Sequence, residues 1–203
     1  MGQNLREDTR AERVRTFIAI ELPEQVKALL ARLQERLRRT GNDAVKWVDP
    51  QGIHLTLRFL GEIPASHLPD IERALMQAAQ RSEPFWLETD GVGAFPSIGR
   101  PRVIWVAVQG DVAALQRLKM AVDEALRPLR FPPEDRPFSP HLTLGRVRPS
   151  ASPQEIRGLA ALLRSTSWEE RATFEAHAVS LMRSDLAPRG AIYTPLAVFR
   201  LGS

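Results

Sequence analysis

One tetrapeptide is written twice in this chain, and that repetition constrains the fold more than any other feature. The sequence reads HLTLRFLG from His54 and HLTLGR from His141, 87 positions apart (141 − 54). Other boundaries keep the same interval. The strands that open each half start near Val14 and Arg102, 88 apart (102 − 14). The helices that follow start near Glu24 and Asp111, 87 apart (111 − 24), and the later helices near Ser66 and Ser152, 86 apart (152 − 66). A β-α-β-α unit is therefore expected twice in nearly constant register. Internal repetition decides architecture before local detail does. Two copies are too few for a solenoid and suit two lobes about a pseudo-two-fold axis.

The expected fold class is α+β and bilobal. Each lobe carries an antiparallel sheet covered by helices, and the two face each other across a central cleft. Residues 14–203 are read as one such domain. Residues 1–13 are read as a disordered leader, because MGQNLREDTRAER is charged and lacks the apolar stretch of a signal peptide.

The elements follow from periodicity. VRTFIAIEL reads as a buried strand. Val26, Leu29, Leu30, Leu33 and Leu37 form one helical stripe after Pro23, ended by Gly41 and Asn42. VKWV is short and extended, and IHLTLRFL alternates as a strand. A helix is expected from Ser66 to Ala79. Two strands flank a Gly- and Pro-containing loop at 91–101. Asp111 caps a further helix, and SPQE at Ser152 is a capping box. TFEAHAVSLMRS and AIYTPLAVFRL are expected as two closing strands.

On a strand, side chains alternate between faces. His54, Thr56 and Arg58 would share one face, and Leu55, Leu57 and Phe59 the other. His141 and Thr143 would likewise oppose Leu142 and Leu144. The leucines can bind each strand to its lobe, which leaves two His-Thr pairs to meet across the cleft. Packing alone would preserve the leucines and let the histidines drift.

Imidazole titrates nearest neutral pH and suits general acid-base work. One ring can take a proton from a nucleophile while the other gives one to a leaving group. Thr56 and Thr143 could hold phosphate oxygens, and Arg146 would add a charge-assisted donor. The pattern reads as metal-independent phosphoester chemistry. Strict alternation, however, turns Arg146 toward the leucine face. A bulge at Gly145 would re-aim it.

These residues resemble the 2H phosphoesterase superfamily, and within it the RNA 2′,3′-cyclic phosphodiesterases, also called 2′-5′ RNA ligases. RTFIAIELP, KWVDPQGIHLTLRFLGEI, RPFSPHLTLGR and RSDLAPRGAIYTPL carry the likeness from about Val14 to Leu201. The resemblance implies a V-shaped cleft and opening of a ribose 2′,3′-cyclic phosphate to a 2′-phosphate. It also implies the reverse ligation with an RNA 5′-hydroxyl. His54 and His141 would be the acid-base pair, Thr56, Thr143 and Arg146 the phosphate ligands. It inclines the acid role to His54. The same chemistry on small cyclic or 2′-5′-linked nucleotides is one alternative. A non-catalytic RNA- or nucleotide-binding module is another.

Four further residues are candidates to line the substrate: Arg58, Tyr193, Phe59 and Trp47. For Phe59 and Trp47 a core position competes with that role. His67 is expected at the surface, and His177 in a late strand with a structural part. No third ligand accompanies the histidine pair, so no metal and no cofactor are expected. No P-loop or G-x-G-x-x-G is present.

Composition narrows the class. The chain of 203 residues has no cysteine, which excludes disulfides, thiol nucleophiles and cysteine-held zinc. No apolar run approaches the ~18 residues of a membrane span. Net charge is +4, and only three of the 28 basic residues are lysine. Arginine matches phosphate geometry, though a GC-rich genome also writes Arg for Lys. A cytoplasmic monomer acting on RNA or a related nucleotide is the expectation.

Overall fold

Strand β1 (Arg13–Glu21) is buried on both faces: Ile18 and Ile20 join the main core, while Phe17 and Ala19 form a smaller cluster with Met182. The computed structural model describes residues 12–39, 43–134, 137–168, 170–187 and 190–202. The expected leader lies almost wholly outside the described residues, as does the expected helix stop at Gly41 and Asn42. Helix α1 (Glu24–Arg38) buries the stripe Val26, Leu29, Leu30, Leu33 and Leu37. Then come β2 (Val45–Trp47), β3 (His54–Pro64) and α2 (Leu68–Gln80), the last after a 3₁₀ turn at Ala65–His67.

Two expectations need correction here. Strands β4 (Phe85–Ser97) and β5 (Arg100–Gly110) run through the region expected as a loop at 91–101. Gly91, at φ +57°, sits in a register shift between Asp90 and Val92. The glycine bends a strand instead of ending it. Helix α3 (Val112–Leu126) follows, capped by the Asp111 carboxylate, which accepts from the Ala114 N–H at 2.8 Å. Strand β6 (His141–Val147) and α4 (Pro153–Ser165), with its capping box on Ser152 and Glu155, come next. The second correction is that the strand expected from Thr173 divides. Its first part, β7 (Thr173–Ala176), pairs with β4, and its second, β8 (Ala178–Ala187), pairs with β1. Exposed His177 lies between them. Strand β9 (Gly190–Arg200) closes the chain as the partner of β8.

The strands form one sheet in the order β7-β4-β5-β6-β3-β1-β8-β9, with β2 also beside β6. Among the described residues its two halves are joined in the ladder at a single register pair, Leu55 opposite Leu142, where β3 meets β6. The sheet is therefore two antiparallel lobes joined at one seam. One lobe holds β3, β1 and the closing hairpin β8–β9; the other holds β4 to β7 and β2.

The two sequence copies do not each build a lobe alone. The Gln34 amide of α1 donates to the carbonyls of Val48 and Leu144, both at 2.8 Å, so the first copy's helix lies against the second copy's strand. In return Asp123 of α3 pairs with Arg58 of β3 at 3.3 Å. This exchange ties both motif strands into one core.

Candidate active site

The seam between β3 and β6 sets the geometry. Leu55 and Leu142 are fully buried and face each other. Extending that antiparallel register one residue each way sets His54 across from Thr143, and Thr56 across from His141. All four are half-buried, on the face opposite the leucines. Each histidine thus stands beside the other copy's threonine, about a local two-fold axis through the leucine pair.

Both rings are held the same way. His54 Nδ1 lies 2.8 Å from the Gly52 carbonyl, and His141 Nδ1 lies 2.7 Å from the Ser139 carbonyl. A carbonyl only accepts, so Nδ1 carries the proton in both rings. Nε2 is left as the nitrogen that takes or gives one. Aromatic rings fix the imidazoles further. Tyr193 meets His54 edge-on at 4.9 Å, and Phe17 stacks on it at 4.6 Å. Phe95 meets His141 edge-on, also at 4.9 Å, with Trp105 at 6.4 Å.

Burial pushes both histidines below the ordinary imidazole range. For His54 the Gly52 carbonyl and the nearby Glu21 carboxylate oppose that shift, while the charge of His141 adds to it. For His141 the Ser139 carbonyl opposes it and Arg146 adds to it. Glu21 sits directly across β1 from His54, whereas Ala107 occupies the position across from His141.

Both motif strands bulge at the same step. Along β6 the partner of Trp105 is Thr143 but the partner of Ile104 is Gly145, so Leu144 is an extra residue. Leu144 and Gly145 are buried in succession and Arg146 returns to the exposed face. Arg146 thus lies on the side of His141, close enough to depress its pKa. Along β3, Ala19 pairs with Thr56 and Ile18 with Arg58, so Leu57 is extra.

That second bulge corrects two expectations. Arg58 does not share the face of His54. It is 5% exposed, pairs with Asp123 and Glu134, and donates to the Pro132 carbonyl. Phe59 does not join the leucines. It is 58% exposed, 6.2 Å from Phe17, on the His54 side. Trp47 packs on the main core with Arg38 over its ring at 5.5 Å, which leaves it off the substrate face. Tyr193 does border the histidine.

Sequence reasoning missed Phe17, Glu21, Phe95 and Trp105. The alternation of Phe17, Ala19 and Glu21 on β1 could have given the first two, since Ile18 and Ile20 take the opposite face into the main core. Phe95 and Trp105 sit in β4 and β5 with no motif to mark them. Among the described residues no group of three or more His, Cys, Asp or Glu side chains is arranged to hold a metal ion, and no helix is long and apolar enough to cross a membrane.

The profile of the LigT like Phosphoesterase family matches this chain twice in succession, over residues 20–105 and 106–193. An RNA 2′,3′-cyclic phosphodiesterase of Methanothermobacter thermautotrophicus is 34% identical over 189 residues, 93% of this chain and 100% of that one. A protein of the same name from Archaeoglobus fulgidus is 36% identical, over 92% and 99% of the two chains. A crystal structure from Thermus thermophilus superposes with a TM-score of 0.74 at 32% identity, covering 93% of this chain and 98% of that one. The fold is also that of E. coli LigT in complex with 3′-AMP, with a TM-score of 0.73 at 24% identity over 95% and 100% of the chains.

Proposed function

The chain belongs to the LigT like phosphoesterase family, and from that premise we propose that it hydrolyses RNA 2′,3′-cyclic phosphate ends to 2′-phosphates. The observation that carries the reading is the seam: two His-Thr pairs related by the Leu55–Leu142 contact.

In the proposed reaction His141, neutral, takes a proton from water through Nε2. The water oxygen bonds to phosphorus, and the bond from phosphorus to O3′ breaks. His54, protonated, gives its proton to O3′. The charges around the rings support this division of roles. Glu21 favours the cationic form of His54, and Arg146 disfavours the cationic form of His141. Thr56 and Thr143 hydroxyls donate to the non-bridging oxygens, and Arg146 meets the charge that grows on them. Tyr193 and Phe59 border the terminal nucleoside. With an RNA 5′-hydroxyl in place of water as the nucleophile, the same groups acting in the same direction form a 2′-5′ linkage. Both histidines come from one chain, which supports a monomer, and an RNA substrate supports action in the cytoplasm.

The test is direct. EDTA-treated protein is given an oligoribonucleotide ending in a 2′,3′-cyclic phosphate, and the product's phosphate is located. A 2′-phosphate is expected. A 3′-phosphate, or no opening at all, would overturn the reading.

A further inference from the structure

The Gly145 bulge does more than re-aim Arg146. Strand β2 pairs with β6 so that Lys46 lies directly opposite Arg146, and residues directly opposite in a sheet share a face. Their Cβ atoms are then about 5 Å apart. The pairing continues past the strand, where the Arg148 N–H donates to the Ala44 carbonyl at 2.6 Å. Arg148 is two residues beyond Arg146 and follows it on the same face. Arg146, Lys46 and Arg148 therefore form a basic strip that starts beside the His-Thr pairs and runs away from the seam. All three are exposed. Among the described residues none of the three forms an ion pair, and the one side-chain bond is from Arg148 Nε to the Asp43 carbonyl at 3.0 Å. Three cations side by side without a carboxylate partner repel one another, and a polyanion relieves that repulsion.

We propose that Lys46 and Arg148 hold the backbone phosphates that precede the cyclic end, so that the site selects single-stranded RNA ends over cyclic mononucleotides. The proposal rests on the cyclic phosphodiesterase reading and names its substrate class. Arg146 meets the reacting phosphate, Lys46 the next one along the strand, and Arg148 the one after. A mononucleotide has nothing to offer the last two. The contact is to backbone phosphate, so it carries no base preference.

Two substrates and one product separate the possibilities. Wild-type, Lys46→Ala, Lys46→Arg and Arg148→Ala proteins are assayed on a cyclic-phosphate-ended RNA oligomer and on 2′,3′-cyclic CMP. Affinity for the 2′-phosphate-ended product oligomer is measured by fluorescence anisotropy across a salt series. The oligomer-to-mononucleotide ratio of kcat/KM is expected to fall roughly tenfold in Lys46→Ala and to recover in Lys46→Arg. The slope of log affinity against log salt is expected to drop by about 0.7 for each phosphate no longer held. A fall of equal size on both substrates, or an unchanged ratio and slope, would overturn the proposal. If wild-type protein turns over neither substrate, the cyclic phosphodiesterase reading has failed. The anisotropy series alone then judges the strip: a wild-type salt slope that Lys46→Ala leaves unchanged overturns it, and a reduced slope supports it.

Discussion

The strands that begin at His54 and His141 are alike for four residues and then part. Both bulge after the second leucine, so in each the next residue turns inward and the one after turns toward the histidines. In the first copy the inward residue is Arg58 and the outward one Phe59. In the second they are Gly145 and Arg146. The inward arginine is locked to Asp123 and Glu134, which binds β3 to α3 and to the loop leading back toward His141. The inward glycine leaves a space that β2 fills: a Cβ there would stand 2.6 Å from Val45 Cγ1. The outward residues differ in kind, an apolar ring against a cation. A repeated motif thus yields a site symmetric in its histidines and threonines and asymmetric in what surrounds them.

The symmetric part is the easiest to break. His54→Ala and His141→Ala should each lower kcat/KM by about 10²–10⁴. The double variant should lose far less than the product of the two, since the groups act as one unit. Steady-state rates on a cyclic-phosphate-ended oligomer would decide it. One single variant that keeps near-full activity would show that only one copy is catalytic.

The inward positions come next. Arg58→Met leaves the largely buried Asp123 and the more exposed Glu134 to Lys119 alone, and should cost about 3 kcal/mol of stability. Gly145→Ala must push against Val45, Trp47 and the Lys46 carbonyl, and should cost about 1–3 kcal/mol as an overpacked site. Urea denaturation measures both. Gly145→Ala also displaces the strand that holds Lys46, so it should lower affinity for RNA more than Arg58→Met does. The opposite ranking would separate the glycine from the basic strip.

The outward pair should differ in which kinetic constant suffers. Under the proposed mechanism Arg146→Ala removes a cation from the reacting phosphate, and it should lower kcat by about 10²-fold. Phe59→Ala removes a stacking face worth about 1–3 kcal/mol. Its effect should appear in KM and be larger for a purine than for a pyrimidine end. Equal effects on kcat would mean that Phe59 positions His54 through Phe17 instead of meeting a base.

The bulges also mark where the sequence could be read and where it could not. The His-Thr pairs and the helices were legible because period and caps are local, and because the motif occurs twice in register. The bulge at Gly145 was legible because a glycine inside a strand is a visible irregularity. The matching bulge at Leu57 was not. No residue there is unusual, and the shift turns Arg58 toward Asp123 on α3, 65 residues away in the chain. Alternation therefore put Arg58 and Phe59 on the wrong faces together, by one unseen step. The division of the late strand at His177 was hidden for a similar reason. Which strand a segment joins is a matter of tertiary pairing, and β7 and β8 choose opposite lobes.

The finest expected effect concerns charge around the two rings. Burial holds both histidines below the usual imidazole pKa of about 6.5. The free-enzyme profile of kcat/KM should therefore be a bell centred on the acid side of that value. Its acid limb reports His141 losing its neutral form, and its basic limb reports His54 losing its proton. Arg146→Ala removes a repulsion from His141, so the acid limb should move up in pH. Glu21→Gln removes an attraction from His54, so the basic limb should move down. Each change narrows the bell from a different side. Limbs that move together, or the wrong limb moving, would exchange the acid and base roles assigned to the two copies. Stability follows the same sign. A histidine with a depressed folded pKa contributes stability above about pH 6.5, and that stability is lost as pH falls toward the folded value. Replacing both rings with glutamine should flatten the acid slope of the unfolding free energy, and replacing His54 alone should leave the slope due to His141.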